Sequence, residues 1–258
     1  MKHPIVIATW NLELPGTTGS ARSQAILAKI AEINADIWVL TETNESIRLD
    51  GYSCFATLET KLRKPGERTT MIWSRWPLRE VPVFTDLPET ETPTRVWPSY
   101  TVSSRDTAPA VCAIVDVPGT PLLVYGTIIT YFGDRGPAGQ SKYHDEQRSS
   151  ITAHKRDWQR LRALYPELPM VVAGDLNATC DKRNSPNIET CTLLREALES
   201  TGLICSTRCN WIDHICVSAE LAAGVIVNDS WQRMYTDARG NGPKCVSDHQ
   251  GECVTVQL

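Results

Sequence analysis

Short apolar segments rich in β-branched residues recur along the whole chain, and turn-forming residues separate most of them. This pattern predicts a fold of many short strands with few helices. Strands are expected at residues 4–10, 36–41, 52–58, 69–73, 81–84, 96–102, 111–117, 122–130, 170–173, 212–217, 225–231 and 253–256.

Three helices are expected, over residues 20–34, 145–165 and 192–200. The first follows Ser20, a suitable N-cap residue, and carries Ile26 and Ile30 on one face. No repeat, low-complexity block or Pro/Ser-rich linker divides the chain, so we expect a single domain over residues 1–258. Sheet packed on sheet, with helices outside, is the economical arrangement for these elements, which makes the fold class α/β (α+β).

The charge balance and the cysteines restrict the classes of function. A formal charge of -4 argues against a polybasic protein that binds nucleic acid by bulk charge alone. The longest apolar stretches, of about ten residues, fall well short of the roughly 20 that a membrane-spanning helix needs. An odd count of 9 cysteines, in a chain too large to need disulfides, favours reduced thiols and a cytoplasmic location.

One group of these cysteines resembles a metal site but has unsuitable spacing. Cys205 and Cys209 lie close in sequence to His214 and Cys216. The spacing does not match a compact zinc finger or ribbon. We therefore interpret them as thiols without a metal.

Small polar residues follow several of the expected buried strands, where a scaffold can hold them rigidly. Each has an ordinary explanation when taken alone; Gly-Asp-x-Asn after a strand, for example, is usually a turn. Together they offer the ligands of a hard cation and a general base. No Ser or Cys nucleophile motif accompanies them. The residues are Asn11, Glu42, Asp175, Asn177, Asp213, His214, Asp248 and His249.

Five sequence blocks resemble the signature of the endonuclease/exonuclease/phosphatase superfamily, and they occur in its order. The blocks are TWN at 9–11, LTETN at 40–44, GDLN at 174–177, IDH at 212–214 and SDH at 247–249. The resemblance implies a four-layered α/β sandwich in which helices flank two packed, mostly antiparallel sheets. The stretch GTIITYFGDRG at 126–136 is most similar to uncharacterised bacterial members.

The resemblance also implies a metal site for Mg²⁺ or Mn²⁺. Glu42 would bind the ion directly, and Asn11 would support that site by hydrogen bonding or coordination. Asp248 would lie beside the metal, as a candidate ligand of a second site. A sparse set of this kind suits Mg²⁺, which keeps most of its waters.

The remaining residues would act on a phosphoester substrate. Asp175 would orient and deprotonate the attacking water, and Asn177 would donate its amide to a phosphate oxygen. His249, positioned by Asp213, would stabilise the charge that develops on phosphorus. Glu67 resembles the mid-chain acid of the family, which hydrogen-bonds a catalytic histidine.

One position departs from the family pattern, and it leaves alternatives open. Many members carry a His or Tyr that helps to protonate the leaving group where this chain has Ile128 or Ile129. Tyr131, Tyr143 and His144 are the nearby alternatives. We expect a nuclease or phosphodiesterase that acts on nucleic acid. The alternatives are an enzyme for phosphorylated lipids or small molecules, and a binding module that has lost turnover.

Overall fold

Two six-stranded sheets form the centre of the protein, as the sequence predicts. The computed structural model describes residues 4–15, 19–58, 65–93, 109–136, 139–183, 185–237 and 239–258. The strands are β1 Pro4–Asn11, β2 Ile37–Asn44, β3 Ser53–Ala56, β4 Glu67–Ser74, β5 Leu78–Val81, β6 Val111–Val115, β7 Leu122–Ile128, β8 Met170–Asp175, β9 Leu203–Cys205, β10 Asp213–Ser218, β11 Val225–Trp231, β12 Met234–Tyr235, β13 Lys244–Cys245 and β14 Gly251–Gln257. The helices are α1 Ala21–Ile33, α2 Asp145–Leu164, α3 Ile188–Glu199 and α4 Ala219–Ala222.

Each sheet is mostly antiparallel with one parallel pair near its middle. The first has the order β11-β14-β1-β2-β4-β3, and β1 and β2 are parallel. The second has the order β5-β6-β7-β8-β10-β9, and β7 and β8 are parallel. Strands β12 and β13 form a separate hairpin.

The layers follow from three apolar clusters. Val39 and Ile72 of the first sheet pack against Val124 and Val171 of the second, so the two sheets meet face to face. Helix α1 covers the outer face of the first sheet through Ile26 and Ile30. Helices α2 and α3 cover the outer face of the second sheet through residues such as Trp158 and Leu194. The central strands are apolar on both faces because both faces are buried.

Several element boundaries differ from the sequence prediction. Strand β5 lies at Leu78–Val81 rather than at 81–84, and helix α3 begins at Ile188, with Asn187 rather than Thr192 at its start. Strands β9, β12 and β13 and helix α4 are absent from the prediction because segments of two to four residues carry no periodicity. The expected strand at 96–102 lies outside the described residues.

The topology brings the predicted site residues to one edge of the sandwich. Asn11 is the last residue of β1, and Glu42 lies close to the end of β2. Asp175 ends β8, and Asp213, the first residue of β10, pairs with it in the antiparallel register. His249 lies just before β14, which runs antiparallel to β1. Parallel neighbours end at the same edge of a sheet, so strand ends from both sheets converge there.

Candidate functional site

A buried carboxylate, Asp175, lies at the centre of the site. Its Oδ2 atom accepts hydrogen bonds from Nδ2 of Asn11 and from Nδ2 of Asn177, both at 3.1 Å. Its Oδ1 atom accepts from the backbone N–H of Asn177 at 2.9 Å. Burial, together with the negative charge of Asp213, raises the pKa of Asp175 to about 7. The arrangement holds one carboxylate rigidly, with a pKa suited to a general base near neutral pH.

An aspartate–histidine pair lies directly beside it. Nδ1 of His249 donates to Oδ2 of Asp213 at 2.7 Å, and Nε2 of His249 lies 4.0 Å from Oδ2 of Asp175. Burial lowers the pKa of His249, but the hydrogen bond and charge of Asp213, with the charges of Asp175 and Asp248, outweigh it and raise the pKa to about 10. The imidazole is therefore positively charged at neutral pH, with its Nε2–H directed towards the carboxylates of the site.

Backbone and hydroxyl contacts fix the loop that carries His249. The Ser247 hydroxyl donates to the backbone oxygen of Asn11 at 2.8 Å and accepts from the backbone N–H of His249 at 3.1 Å. The Trp10 indole donates to the backbone oxygen of His249 at 3.2 Å. The histidine loop is thus tied to the end of β1, the strand that presents Asn11.

The structure brings most of the predicted residues together, and some hydrogen bonds differ from expectation. The Asn11 amide is bonded at both ends, because its Oδ1 accepts from the backbone N–H of Glu13 at 2.9 Å. Nδ2 of Asn177 donates to the backbone oxygen of Ile129 at 2.8 Å as well as to Asp175. Both asparagines therefore support Asp175 directly.

Glu42, Glu67 and Asp248 are the other predicted site residues. The negative charge of Glu42 contributes to the raised pKa of Asp175, and its backbone has a positive φ of 44°. Asp248 Oδ1 lies 3.7 Å from Nε2 of His249, and the Asp248 side chain is exposed. Glu67 is buried at the start of β4 and pairs in register with Asn44. The Nδ1 atom of His249 is bonded to Asp213 and not to Glu67. A hydrogen bond from Glu67 to a catalytic histidine therefore stays a prediction.

Three further positions bear on the site. Trp211 is half-buried and donates from its indole to Oδ2 of Asp213 at 3.1 Å, so it forms part of the site wall rather than the core. Ile128 and Ile129 are buried and apolar, and neither can donate a proton to a leaving group. In the sequence, the only signal for Trp211 is that it directly precedes the IDH block at 212–214.

The comparison with known families agrees with this geometry. The model of the endonuclease/exonuclease/phosphatase family matches residues 8–249, nearly the whole chain. The chain belongs to this family. Members of the endonuclease/exonuclease/phosphatase family are divalent-metal-dependent hydrolases of phosphoesters.

Solved structures share the same fold. An AP endonuclease from Leishmania major is 16% identical with a TM-score of 0.66, over 99% of this chain and 88% of that one. Sphingomyelinase C from Streptomyces griseocarneus is 13% identical with a TM-score of 0.62, over 99% of this chain and 100% of that one. An endonuclease/exonuclease/phosphatase protein from Beutenbergia cavernae is 18% identical with a TM-score of 0.61, over 100% of this chain and 72% of that one. A search of curated protein sequences finds no match.

The donor set of the site fits a hard divalent cation of the kind this family uses. Carboxylate and amide oxygens dominate it, and these are the ligands that Mg²⁺ and Mn²⁺ prefer. The ligand atoms of Asp175, Asp213 and His249 lie within 4.8 Å of one another. The short bond between Asp213 and His249 contains a proton, so these two act as a hydrogen-bonded pair.

Proposed function

We propose that this protein is a Mg²⁺- or Mn²⁺-dependent phosphodiesterase that hydrolyses its substrate by in-line attack of water, and that its substrate is a nucleic acid. The observation that carries the proposal is the buried Asp175 carboxylate, which Asn11 and Asn177 hold 4.0 Å from the charged imidazole of His249. A base and a cationic group this close can act on one phosphate together, the base on the attacking water and the cation on a non-bridging oxygen.

Glu42 would hold the metal ion, with Asp248 as a candidate second ligand and Asn11 as a support. The ion would supply positive charge to a phosphate oxygen as negative charge builds up there. Glu42 is suited to this role because its carboxylate lies close enough to Asp175 to affect its pKa. Its left-handed backbone is strained for a residue with a Cβ atom, and such strain is common at functional sites.

Asp175 would take a proton from the attacking water as the water oxygen bonds to phosphorus. The bond from phosphorus to the ester oxygen breaks on the opposite side, the leaving oxygen takes a proton from solvent water, and Asp175 returns its proton to solvent. His249 would stabilise the charge on the non-bridging oxygens, since Asp213 keeps its imidazole protonated. No covalent intermediate is needed, which agrees with the lack of a Ser or Cys nucleophile motif in the sequence.

An exposed aromatic cluster supports a nucleic acid substrate. It consists of Tyr131, Phe132, Tyr143 and His144, and Tyr131 and Tyr143 are 54% and 62% exposed. Phe132 stacks on Tyr143 and His144, with ring centroids 6.2 and 5.4 Å apart. Arg135 lies over the Tyr143 ring at 5.0 Å. Exposed rings beside a cation provide stacking surfaces for nucleobases.

This aromatic cluster is connected to the catalytic residues. Nδ1 of His144 lies 2.8 Å from Oε1 of Gln147, and Nε2 of Gln147 donates to the backbone oxygen of Asn177. Nucleobases that stack on these rings would therefore lie close to the phosphate-binding residues. A small phosphorylated molecule would not need such a surface.

The chemistry is tested with a substrate panel and two variants. Single- and double-stranded DNA, RNA, inositol phosphates and sphingomyelin are incubated with wild-type protein and Mg²⁺ or Mn²⁺. Asp175→Asn and His249→Ala should each lower kcat by about 10²–10⁴-fold in protein that circular dichroism shows to be folded. Asp116→Asn is the control, because Asp116 is an exposed partner of Arg79. A wild-type protein that hydrolyses none of these compounds would favour the binding-module alternative.

The substrate class is tested at the aromatic cluster. Tyr143→Ala should raise KM for a nucleic acid substrate and leave turnover of a small phosphodiester, bis(p-nitrophenyl) phosphate, unchanged. Equal effects on both substrates would contradict base stacking. Turnover confined to lipids or soluble phosphates would support the alternative, an enzyme for phosphorylated lipids or small molecules. Sphingomyelinase C, which has the same fold, makes this alternative specific.

The location is a further part of the proposal. All nine cysteines are free thiols, which is consistent with a reducing, cytoplasmic compartment. None of the helices in the described part of the chain is both long and apolar enough to cross a bilayer.

A further inference from the structure

A second group of metal-ligand side chains lies behind the proposed active site, and the hydrolysis reaction does not use it. It consists of four cysteines and one histidine, which come from three separate segments. The members are Cys180, Cys205, Cys209, His214 and Cys216. We call this group the thiol cluster.

The fold gathers the thiol cluster through strand register and loop hydrogen bonds. Cys205 of β9 lies directly opposite Cys216 of β10, and His214 is two residues earlier on β10 and so faces the same side. Cys180 comes from the loop after β8, 25 residues before Cys205 in the sequence. The backbone N–H groups of Cys180 and Asp181 both donate to the backbone oxygen of Cys209, at 2.8 and 2.9 Å.

The distances within the cluster are close to those of a tetrahedral zinc site. Sγ of Cys205 lies 3.3 Å from Nδ1 of His214, and the ligand atoms of Cys180, Cys205 and His214 all lie within 4.8 Å of one another. A tetrahedral Zn²⁺ with Zn–S of about 2.3 Å and Zn–N of about 2.0 Å separates its sulfur and nitrogen ligands by about 3.5 Å. The Cys209 and Cys216 thiols both contact the Cys205 sulfur, and Cys209, whose backbone oxygen is bonded to the Cys180 loop, is the candidate for the fourth ligand.

The histidine is oriented as a metal ligand would be. Nε2 of His214 lies 3.0 Å from the backbone oxygen of Ala178 and must donate its proton there. In the neutral ring Nδ1 then carries the lone pair. It lies 3.3 Å from the Cys205 sulfur and 3.3 Å from the Thr207 hydroxyl, and Sγ of Cys180 lies 3.7 Å from Nε2. A ring nitrogen bonded to a backbone carbonyl, with the other nitrogen directed at thiols, is the usual outer-shell arrangement of zinc-binding histidines.

We propose that Cys180, Cys205, Cys209 and His214 bind one structural Zn²⁺ ion. Three thiolates and one imidazole form a closed Cys₃His set, which is typical of structural zinc. Soft thiolate ligands select Zn²⁺ over Mg²⁺, so this site and the oxygen-rich site would take different metals. A disulfide between two of these thiols would leave the directed imidazole without a role.

Such an ion would position the catalytic residues. Cys180 lies three residues after Asn177, and His214 directly follows Asp213. Zinc would therefore fasten the loop that begins with Asp175 to the strand that presents Asp213. Its loss should lower stability and activity together, even though the ion does not touch the substrate.

The wild-type protein provides the first test. Protein purified with a mild reductant and without chelators should contain about one zinc ion per chain by elemental analysis. Replacing zinc by Co²⁺ should produce a thiolate-to-cobalt charge-transfer band and the strong visible bands of tetrahedral cobalt. Chelation should lower the melting temperature, and Zn²⁺ but not Mg²⁺ should restore it. Reduced wild-type protein with neither zinc nor the cobalt band would overturn the proposal.

Variants identify the ligands. Cys205→Ser and Cys209→Ser should lose stoichiometric zinc, whereas Cys216→Ala should retain it. Cys112→Ala is the matched control, because Cys112 is a buried thiol of β6, and strands β7 and β8 lie between β6 and β10. Glu42→Gln should retain zinc, which separates this site from the proposed catalytic metal. Zinc retained by Cys205→Ser, or a Cys180–Cys205 disulfide in the metal-free native protein, would contradict the assignment.

Discussion

Two residues at the edge of the sandwich have left-handed backbone conformations that their neighbours stabilise. Asn177 has a φ of 49°, and its side chain offsets part of the strain by bonding to Asp175. Glu42 has a φ of 44°, and its backbone oxygen accepts from the N–H of Leu14 at 2.8 Å. Asparagine tolerates this conformation, but glutamate rarely adopts it. The strain at Glu42 therefore supports a functional role for its carboxylate.

Removing the negative charge of Glu42 tests whether its carboxylate binds the metal ion. Wild-type protein should show a rise in melting temperature when Mg²⁺ or Mn²⁺ is added, because a ligand that binds only the folded state stabilises it. Glu42→Gln keeps the shape of the side chain and removes the charge, so it should abolish that rise. Glu45→Gln, at an exposed glutamate that pairs with Arg68, should keep it. An unchanged rise in Glu42→Gln would show that Glu42 does not bind the metal. Differential scanning fluorimetry at several metal concentrations measures this.

The parallel strands β7 and β8 each contain a glycine at a point of close approach. In β8, Gly174 has a φ of 138°, and a Cβ atom there would lie 1.9 Å from the backbone oxygen of Thr127. In β7, a Cβ atom on Gly126 would lie 2.9 Å from Thr70 and 3.0 Å from Val39 of the opposite sheet. Glycine thus lets the strand before Asp175 pair closely and lets the two sheets approach each other.

Gly126→Ala measures the tightness of the contact between the sheets. The added methyl group would push against Val39 and Thr70, and such overpacking destabilises by about 1–3 kcal/mol. Chemical denaturation should show this loss as a lower midpoint with an unchanged slope. Gly242→Ala is the control, since a Cβ atom there would meet nothing within 4 Å. Equal stability of Gly126→Ala and the wild type would mean that the sheets can separate slightly at no cost.

Over the whole molecule, the sequence predicts the strand-rich sandwich and the converging strand ends better than it predicts the site's detailed contacts. The apolar pattern identifies both β1 and β8, because each is a long buried strand. Their polar final residues, Asn11 and Asp175, mark the site. The bond from Trp211 to Asp213 depends on how a loop turns. The proximity of the Cys180 and Cys205 thiols depends on β9, a strand of three residues. Contacts between distant segments arise from tertiary packing, which local patterns do not encode.

The apolar cluster between the sheets contains residues from both, so we expect one cooperative unfolding transition, in agreement with a single domain. One contribution to the pH dependence of the free energy of unfolding should come from His154, a buried residue of α2. Nδ1 of His154 donates to the backbone oxygen of Ser150 at 2.7 Å, and Nε2 lies 2.7 Å from the Thr127 hydroxyl. Burial lowers the pKa of His154 from 6.5 to about 4. The unfolded chain therefore binds a proton that the folded protein excludes between these two pH values.

The direction of this pH dependence follows from the lower pKa of His154 in the folded protein. The contribution of His154 to stability should be complete above pH 6.5 and should decrease by about 3 kcal/mol as the pH falls towards 4, whereas the raised pKa of Asp175 acts in the opposite direction. His154→Gln removes the titrating group, so its melting temperature should fall less steeply than that of the wild type over this range. His144→Gln, which removes a less buried imidazole just before α2, should keep the wild-type slope. Parallel curves for the wild type and His154→Gln in a pH series of calorimetric scans would show that His154 takes up its proton without unfolding.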